Sequence, residues 1–221
     1  MTLLDAVNEI LIRLRESEVS SVTASARSKH VRALVNQAKR RVESIHRWSA
    51  LLHTLSVNTA AGTNEYSLTD WRERSSIDFI FNTTSNSELR STNNYYIQKL
   101  RLTHNERARP EYWFISGRDS NGDPTIEVYP TPDAVYALGI HGYRPQADLT
   151  GNADRILVPS YPVVLEAYAL AVSERGEDGG ATFDETRSQA LEALNEAVAI
   201  EEANLMQGEF NDWRADLGPR H

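Results

Sequence analysis

Apolar side chains recur at helical spacing towards both ends of the chain and alternate with polar ones in the middle. Near the N-terminus, the spacing predicts one helix that ends at about Arg15 and a second from about Ser25 to Trp48. Towards the C-terminus, it predicts a helix with Pro162 in its first turn and a longer helix that ends at Gln207. The predicted apolar positions of the four helices are, in chain order, Leu3, Val7, Ile10, Leu11 and Leu14; Val31, Leu34, Val35, Ala38, Val42 and Ile45; Val164, Leu165, Tyr168, Ala169 and Val172; and Leu191, Leu194, Val198 and Leu205.

The middle of the chain has the two-residue period of β-strands. LLHTLSVNT and EYSLT, joined by AAGTN, predict one β-hairpin. TIEVYP and VYALGIHGY predict a second, joined by a turn at Pro132 and Asp133. SSIDFIFNTT and EYWFISG predict further strands, and YYIQKLRLTHN between them predicts a short helix.

The order helix–helix, strands, helix–helix predicts an α+β fold. We expect residues 1–50 and 159–207 to form an antiparallel helical bundle, because each amphipathic helix needs a partner for its apolar side. We expect residues 51–158 to form an inserted antiparallel β module, either a sandwich or barrel-like. Residues 208–221 lack helical periodicity and form a predicted C-terminal arm.

Charge is distributed unevenly along a chain whose net charge is −8. Residues 1–55 carry a net charge of +4 and residues 159–221 a net charge of −9. Either the two ends pair their charges with each other, or a basic surface faces a partner. At about 100° per residue, Lys29, Arg40 and Arg47 share the polar side of the second helix. These three residues are the candidates for charged contacts with a partner or a neighbouring subunit.

The sequence predicts no catalytic, metal-binding or cofactor-binding residues. It contains no cysteine, no phosphate-binding loop and none of the common hydrolase motifs, and its histidines are scattered. Its isoelectric point of about 5.3 argues against tight, specific binding of nucleic acid. Its longest apolar run is too short for a membrane helix.

One acidic segment, DSNGDPTIE, has the beginning of a calcium-binding loop. Asp119, Asn121 and Asp123 occupy the first, third and fifth positions of such a loop. The loop also needs glycine at its sixth position and glutamate at its twelfth, and here these are Pro124 and Pro130. The segment therefore predicts a turn rather than a metal site.

Several segments occur in an order that resembles a known family: LLDAVNEIL, ARSKHVRALVNQAKRRVESIHRWSALLHTLSV, EYSL, PEYWFISG, IEVYPTPDAVYALGIHGYRP and LVPSYPVVLEAYAL. In this order they resemble the head-to-tail adaptor, or connector, proteins of tailed bacteriophages. They are most similar to the tail tubular protein A group of short-tailed phages. The resemblance covers almost the whole chain.

The resemblance implies a structural virion protein, made in the host cytoplasm and located in the neck between head and tail. Members of this adaptor family form a ring, usually twelve-fold, below the portal protein. The ring continues the DNA channel towards the tail nozzle or tail tube protein. Genomic DNA would pass through without specific binding, and an acidic chain suits such a channel because like charges repel. The resemblance implies no enzyme activity, no cofactor and no membrane contact.

The predicted arm contains three large apolar residues, Phe210, Trp213 and Leu217, at spacings of three and four. A segment this short has no core of its own, so these side chains would dock into a partner's groove or fold back over the bundle. The resemblance favours the portal as that partner.

Two other functions remain open from the sequence. One is another tail-completion or fibre-attachment protein of the same virion, which would differ in its partners. The other is a small nucleic-acid-processing enzyme whose site has no recognisable motif.

Overall fold

The computed structural model describes residues 1–104, 106–175 and 181–215, with backbone alone for residues 175, 181–182 and 206–215. The helices are α1 (Leu3–Arg13), α2 (Ala26–Ile45), α3 (Asn94–Thr103), α4 (Ser160–Arg175) and α5 (Ala181–Ala215), with one 3-10 turn at Ser49–Leu51. The strands are β1 (Leu52–Asn58), β2 (Glu65–Ser67), β3 (Ser76–Asn82), β4 (Ser87–Ser91), β5 (Tyr112–Arg118), β6 (Pro124–Tyr129) and β7 (Ala137–Tyr143). They form two compact units, a β module of Leu51–Pro145 and a helical unit made of Met1–Ala50 and the chain from Gln146 onward.

The helical unit joins the N-terminal helices to the C-terminal ones, as the sequence predicts. α2 and α1 both pack on α4, and α4 packs on α5. α1 begins with a capping box: the Thr2 hydroxyl accepts the Asp5 N–H, and the Asp5 carboxylate accepts the Thr2 N–H. All five predicted apolar positions of α1 are buried.

Two helices end at other residues than predicted. α2 ends at Ile45 instead of Trp48, and the buried Trp48 folds back so that its indole N–H donates to the Val42 carbonyl at 2.8 Å. α5 continues to Ala215, beyond the predicted end at Gln207. The glycine after Gln207 therefore does not end the helix, and the first half of the predicted arm has helical backbone.

The β module contains a seven-stranded sheet in the order β1-β7-β3-β4-β5-β6-β2. Both predicted hairpins are wrong. β1 pairs with β7 rather than β2, and β6 pairs with β5 and β2 rather than β7. The segment resembling a calcium loop is the turn between β5 and β6, as predicted: the Asp119 carboxylate accepts the N–H groups of Asn121 and Asp123.

The sheet is curled like half a barrel, and chain length alone already excludes a flat sheet. Strands in a sheet lie about 4.8 Å apart, so six spacings would put β1 and β2 about 29 Å apart in a flat sheet. The seven residue steps from Asn58 to Glu65 span at most about 25 Å. The sheet must therefore bend to bring its two edges closer together, which agrees with the barrel-like alternative.

α3 makes a crossover between two strands that run parallel, β4 and β5. The other strand pairs of the sheet are antiparallel, so this pair is the exception to the predicted antiparallel module. α3 is attached through Ile97, which is buried against Phe114 and Tyr129. The α+β fold class is confirmed, with a short helix inside the β module as predicted.

Candidate interaction surfaces

The predicted portal-docking residues lie at the edge of the described chain. Phe210 and Trp213 belong to the last turns of α5, where the backbone alone is described. Leu217 lies outside the described residues. Their contact with the portal stays a prediction.

The structure does not bring Lys29, Arg40 and Arg47 together as one stripe on a helix. Lys29 and Arg40 are exposed on α2, but Arg47 lies beyond its last residue. The Arg40 guanidinium donates to the carboxylate of Asp148, with 3.0 Å between Nε and Oδ1. This hydrogen bond raises the pKa of Arg40 above its ordinary value.

Two other residues of α2, Arg41 and His30, contact acids of α4. The Arg41 guanidinium donates to a carboxylate oxygen of Glu166, and His30 contacts Glu174. These pairs favour the interpretation in which the basic N-terminal part of the chain neutralises part of the acidic C-terminal part.

α2 also carries a buried polar strip, formed by Asn36, Lys39 and Glu43, that binds the main chain of residues 146–149. The Asn36 amide donates to the Leu149 carbonyl at 3.0 Å and accepts the Leu149 N–H at 2.8 Å. Lys39 is fully buried, and its ammonium group donates to the carbonyls of residues 146 and 147 at 2.8 and 3.0 Å. Glu43 accepts from Lys39 at 3.1 Å and from the main-chain N–H of residue 146 at 3.2 Å.

The polar strip fixes the segment that leads from the β module back into the helical unit. Because its bonds go to main-chain atoms, they do not depend on the side chains of that segment. The sequence contains a signal for it: Lys39 lies one helical turn after Val35, on the buried side of α2. A lysine is almost never fully buried unless it is paired.

Residues of α3 form an exposed surface that was not predicted from the sequence. Tyr95 and Leu102 are 78% and 89% exposed, and at helical spacing they share one side of α3 with the exposed Lys99. We call Tyr95, Lys99 and Leu102 the α3 face. It lies opposite Ile97 and is an apolar stripe two turns long with one positive charge.

The outer edge of β1 is another candidate interaction surface. β1 is the last strand of the sheet on its side, and all seven of its residues pair with β7 in an unbroken register. It contains no charged residue and no proline, which usually protect strand edges from pairing with other chains. Leu55 and Val57 pack on the core of the module but are only half-buried at this edge.

No group of three or more histidine, aspartate or glutamate side chains suitable for a metal ion occurs within residues 1–104, 106–174 and 183–205. In the described part of the chain, every helix is too short or too polar to cross a membrane.

Almost the whole chain matches a known family. The family model for the SU10 adaptor protein matches residues 1–217. No curated protein matches the chain. Since the match covers both the helical unit and the β module, the chain belongs to the SU10 adaptor protein family, a family of structural adaptor proteins of phages.

Proposed function

We propose that the protein is the head-to-tail adaptor of its virion, similar to tail tubular protein A, and that it binds the portal protein on one side and a tail nozzle or tail tube protein on the other. In this proposal, copies of the chain form a ring below the portal that continues the DNA channel. The observation that carries it is the match of an adaptor family to almost the entire chain. The resemblance of its segment order to head-to-tail adaptors supports it.

The α3 face supports an assembly role. Leu102 is almost fully exposed, and covering a leucine side chain stabilises a complex by about 2 kcal/mol. Tyr95 beside it is of the residue type that dominates the energy of protein interfaces. A short helix with an uncovered apolar side is expected in a protein that completes its packing in an assembly.

The edge of β1 supports the same role by a different kind of contact. Its free main-chain groups can pair with an extended segment of a neighbouring chain. Such a strand would also cover Leu55 and Val57. A ring requires contacts of a head-to-tail kind, in which two different surfaces of each copy meet. The α3 face and the β1 edge are two different surfaces.

The test is to mix the purified protein with portal rings and to examine the mixture by electron microscopy and sedimentation. We expect a ring of the protein on the portal, and monomers in the absence of the portal, because ordering on a template lowers the affinity of lone subunits. Binding to a tail component alone would contradict the proposal and would assign the protein to tail completion or fibre attachment.

A pair of matched variants tests the role of the α3 face. Leu102→Asp places a charge in the apolar stripe and should abolish the portal complex or the ring without lowering the melting temperature. Val135→Asp is the control, because Val135 is also an exposed apolar residue of the β module. If Leu102→Asp assembles as the wild type does, the α3 face has no part in assembly.

Truncation after Gln207 tests the C-terminal docking residues. A folded truncated protein that no longer binds the portal supports docking through Phe210, Trp213 and Leu217. Loss of stability would support folding back over the bundle instead, and full portal affinity would refute docking.

A further inference from the structure

A cleft in the β module lies between α3 and the strands β5 and β6. It encloses about 240 Å³ and is lined by Tyr96, Leu100, Glu106, Glu111, Tyr112 and Tyr129, among others. Ligand pockets for molecules of drug size occupy roughly 300–1,000 Å³, so this cleft is smaller than most of them. A single long side chain fits this volume. We call this cleft between α3, β5 and β6 the aromatic cleft.

The tyrosines of the aromatic cleft are held in fixed positions. Tyr129 is buried, and its hydroxyl donates to the carbonyl of His104 at 2.6 Å. The rings of Tyr96 and Tyr112 meet edge to face, with 5.6 Å between their centroids. Together with Leu100, these rings offer apolar and π surfaces to a ligand.

The rim of the aromatic cleft is negatively charged. Glu106 and Glu111 are both exposed and line the cleft, and Glu111 forms a solvent-exposed ion pair with Arg109 over 3.6 Å. Exposed ion pairs are weak, so Glu111 can exchange Arg109 for another cation.

Burial and the negative charge of Glu106 raise the pKa of Tyr129. The charge of Glu106 therefore acts on the interior of the cleft. The charge of Arg101 acts on the pKa of Tyr129 in the opposite direction, and that of Arg90 acts likewise on the pKa of Tyr96. Arg101 itself donates to Glu127.

The aromatic walls and the acidic rim together favour a ligand with a long apolar stem and a positive charge at its end. The aliphatic stem of an arginine or lysine can lie along an apolar wall while its charge reaches the rim. Arginine fits better, because a planar guanidinium stacks on aromatic rings and binds carboxylates through two nitrogens. We propose that the aromatic cleft binds an arginine side chain of a neighbouring protein chain in the virion. The source of that arginine rests on the proposed adaptor function; the binding chemistry of the cleft does not.

The cleft is tested with the full-length protein and N-acetyl-arginine amide as the probe. We expect amide NMR signals of cleft residues, including Tyr96, Tyr112 and Tyr129, to shift in a saturable manner. N-acetyl-citrulline amide has nearly the same shape but no charge and should cause no such shifts. Equal shifts with both compounds would overturn the proposal.

Variants of the rim give the second readout. Glu106→Gln combined with Glu111→Gln should weaken binding of the arginine probe about fivefold, as expected when two exposed charge contacts are lost. Glu88→Gln, which changes an exposed carboxylate outside the cleft, should leave probe binding unchanged. Undiminished binding by the double variant would refute the role of the carboxylates.

The two proposals fail in different ways. If the protein does not bind the portal but binds the arginine probe, the adaptor function is wrong and the cleft chemistry stands. If the portal complex forms but the probe shifts no cleft signal, the cleft proposal is wrong and the adaptor function stands.

Discussion

Gly142 of β7 lies directly against the main chain of β3, at Ser76 and Ile77. A Cβ atom at this position would lie 2.1 Å from the main-chain oxygen of Ser76, so no other residue fits without moving a strand. At Gly139, on the same strand, a Cβ atom would lie 3.7 Å from the nearest oxygen, which is an ordinary contact. Two glycines that both face β3 thus differ in what they tolerate.

This difference predicts the outcome of two alanine substitutions. Gly142→Ala should lower the free energy of unfolding by about 2–3 kcal/mol, because overpacking forces backbone shifts. Gly139→Ala should change it by less than about 1 kcal/mol. Urea denaturation followed by circular dichroism measures both, and equal effects would contradict the close approach at Gly142.

Lys39 and Arg40 are neighbours in sequence whose ion pairs should contribute very differently to stability. Lys39→Met removes the cation that compensates the buried carboxylate of Glu43 and that donates to two carbonyls, so it should destabilise the protein by about 3 kcal/mol. Arg40→Ala removes an exposed pair with Asp148 and should destabilise it by less than about 1 kcal/mol. The same denaturation experiment compares them, and a Lys39→Met protein as stable as the wild type would show that the polar strip is dispensable.

Asp154 predicts a dependence of stability on pH. Its carboxylate accepts the N–H groups of Gly151 and Thr150, both at 2.8 Å, and these bonds hold its pKa below the ordinary value of 3.8. A lowered pKa in the folded state means that the carboxylate stabilises the fold at pH values above 3.8 and that this contribution is lost as the pH falls below it.

A comparison of the wild type with Asp154→Asn tests the direction of this pH dependence. The wild type should melt at a higher temperature than the variant at neutral pH, and the difference should vanish in strongly acidic buffer. A difference in melting temperature that persists or grows with acidity would show that the charge of Asp154 is not responsible.

At the scale of elements, the helices could be predicted and the strand pairing could not. Helical periodicity is local, and its predicted apolar residues are buried throughout α1. Pairing of strands is not local: β1 has a turn directly after it, yet its partner β7 begins at Ala137. Each turn motif indicates where a strand ends, but the shared core and the curl of the sheet decide which strand lies beside it.

The helical prediction is wrong at three predicted core residues that are exposed, Ile45, Leu191 and Leu205. Ile45 and Leu205 lie near the ends of the regions where α2 and α5 are covered, whereas Leu191 lies at the margin of the buried side of α5, next to the buried Ala190. Periodicity indicates the side of a helix that can be buried. It does not indicate how far along the helix another element covers that side.

Leu34 and Ile45 allow a test on one helix. Both belong to the predicted apolar side of α2, but Leu34 is 4% exposed and Ile45 is 49% exposed. Leu34→Asp should unfold the helical unit, because a buried unpaired charge costs several kcal/mol. Ile45→Asp should lower the melting temperature only slightly. Wild-type thermal stability of Leu34→Asp would contradict the packing of α2 on α4.

For the whole molecule, the class of phage adaptor proteins could be predicted from the sequence, but the surfaces could not. The order of segments is a property of the chain itself, and it was sufficient to indicate an adaptor. The α3 face and the aromatic cleft could not be predicted, because exposure depends on what the rest of the fold leaves uncovered. Tyr96, Tyr112 and Tyr129 come from three elements, and no spacing in the sequence brings them together.

The first and last strands of the β module lie side by side, and this has an evolutionary consequence. Leu52 pairs with Tyr143, and the N–H of Arg144 donates to the carbonyl of Leu51 at 2.9 Å. The chain therefore enters and leaves the module at one point, in the manner of a cassette inserted into a host domain. Exchange of such a cassette by recombination would leave the chain path of the helical unit unchanged.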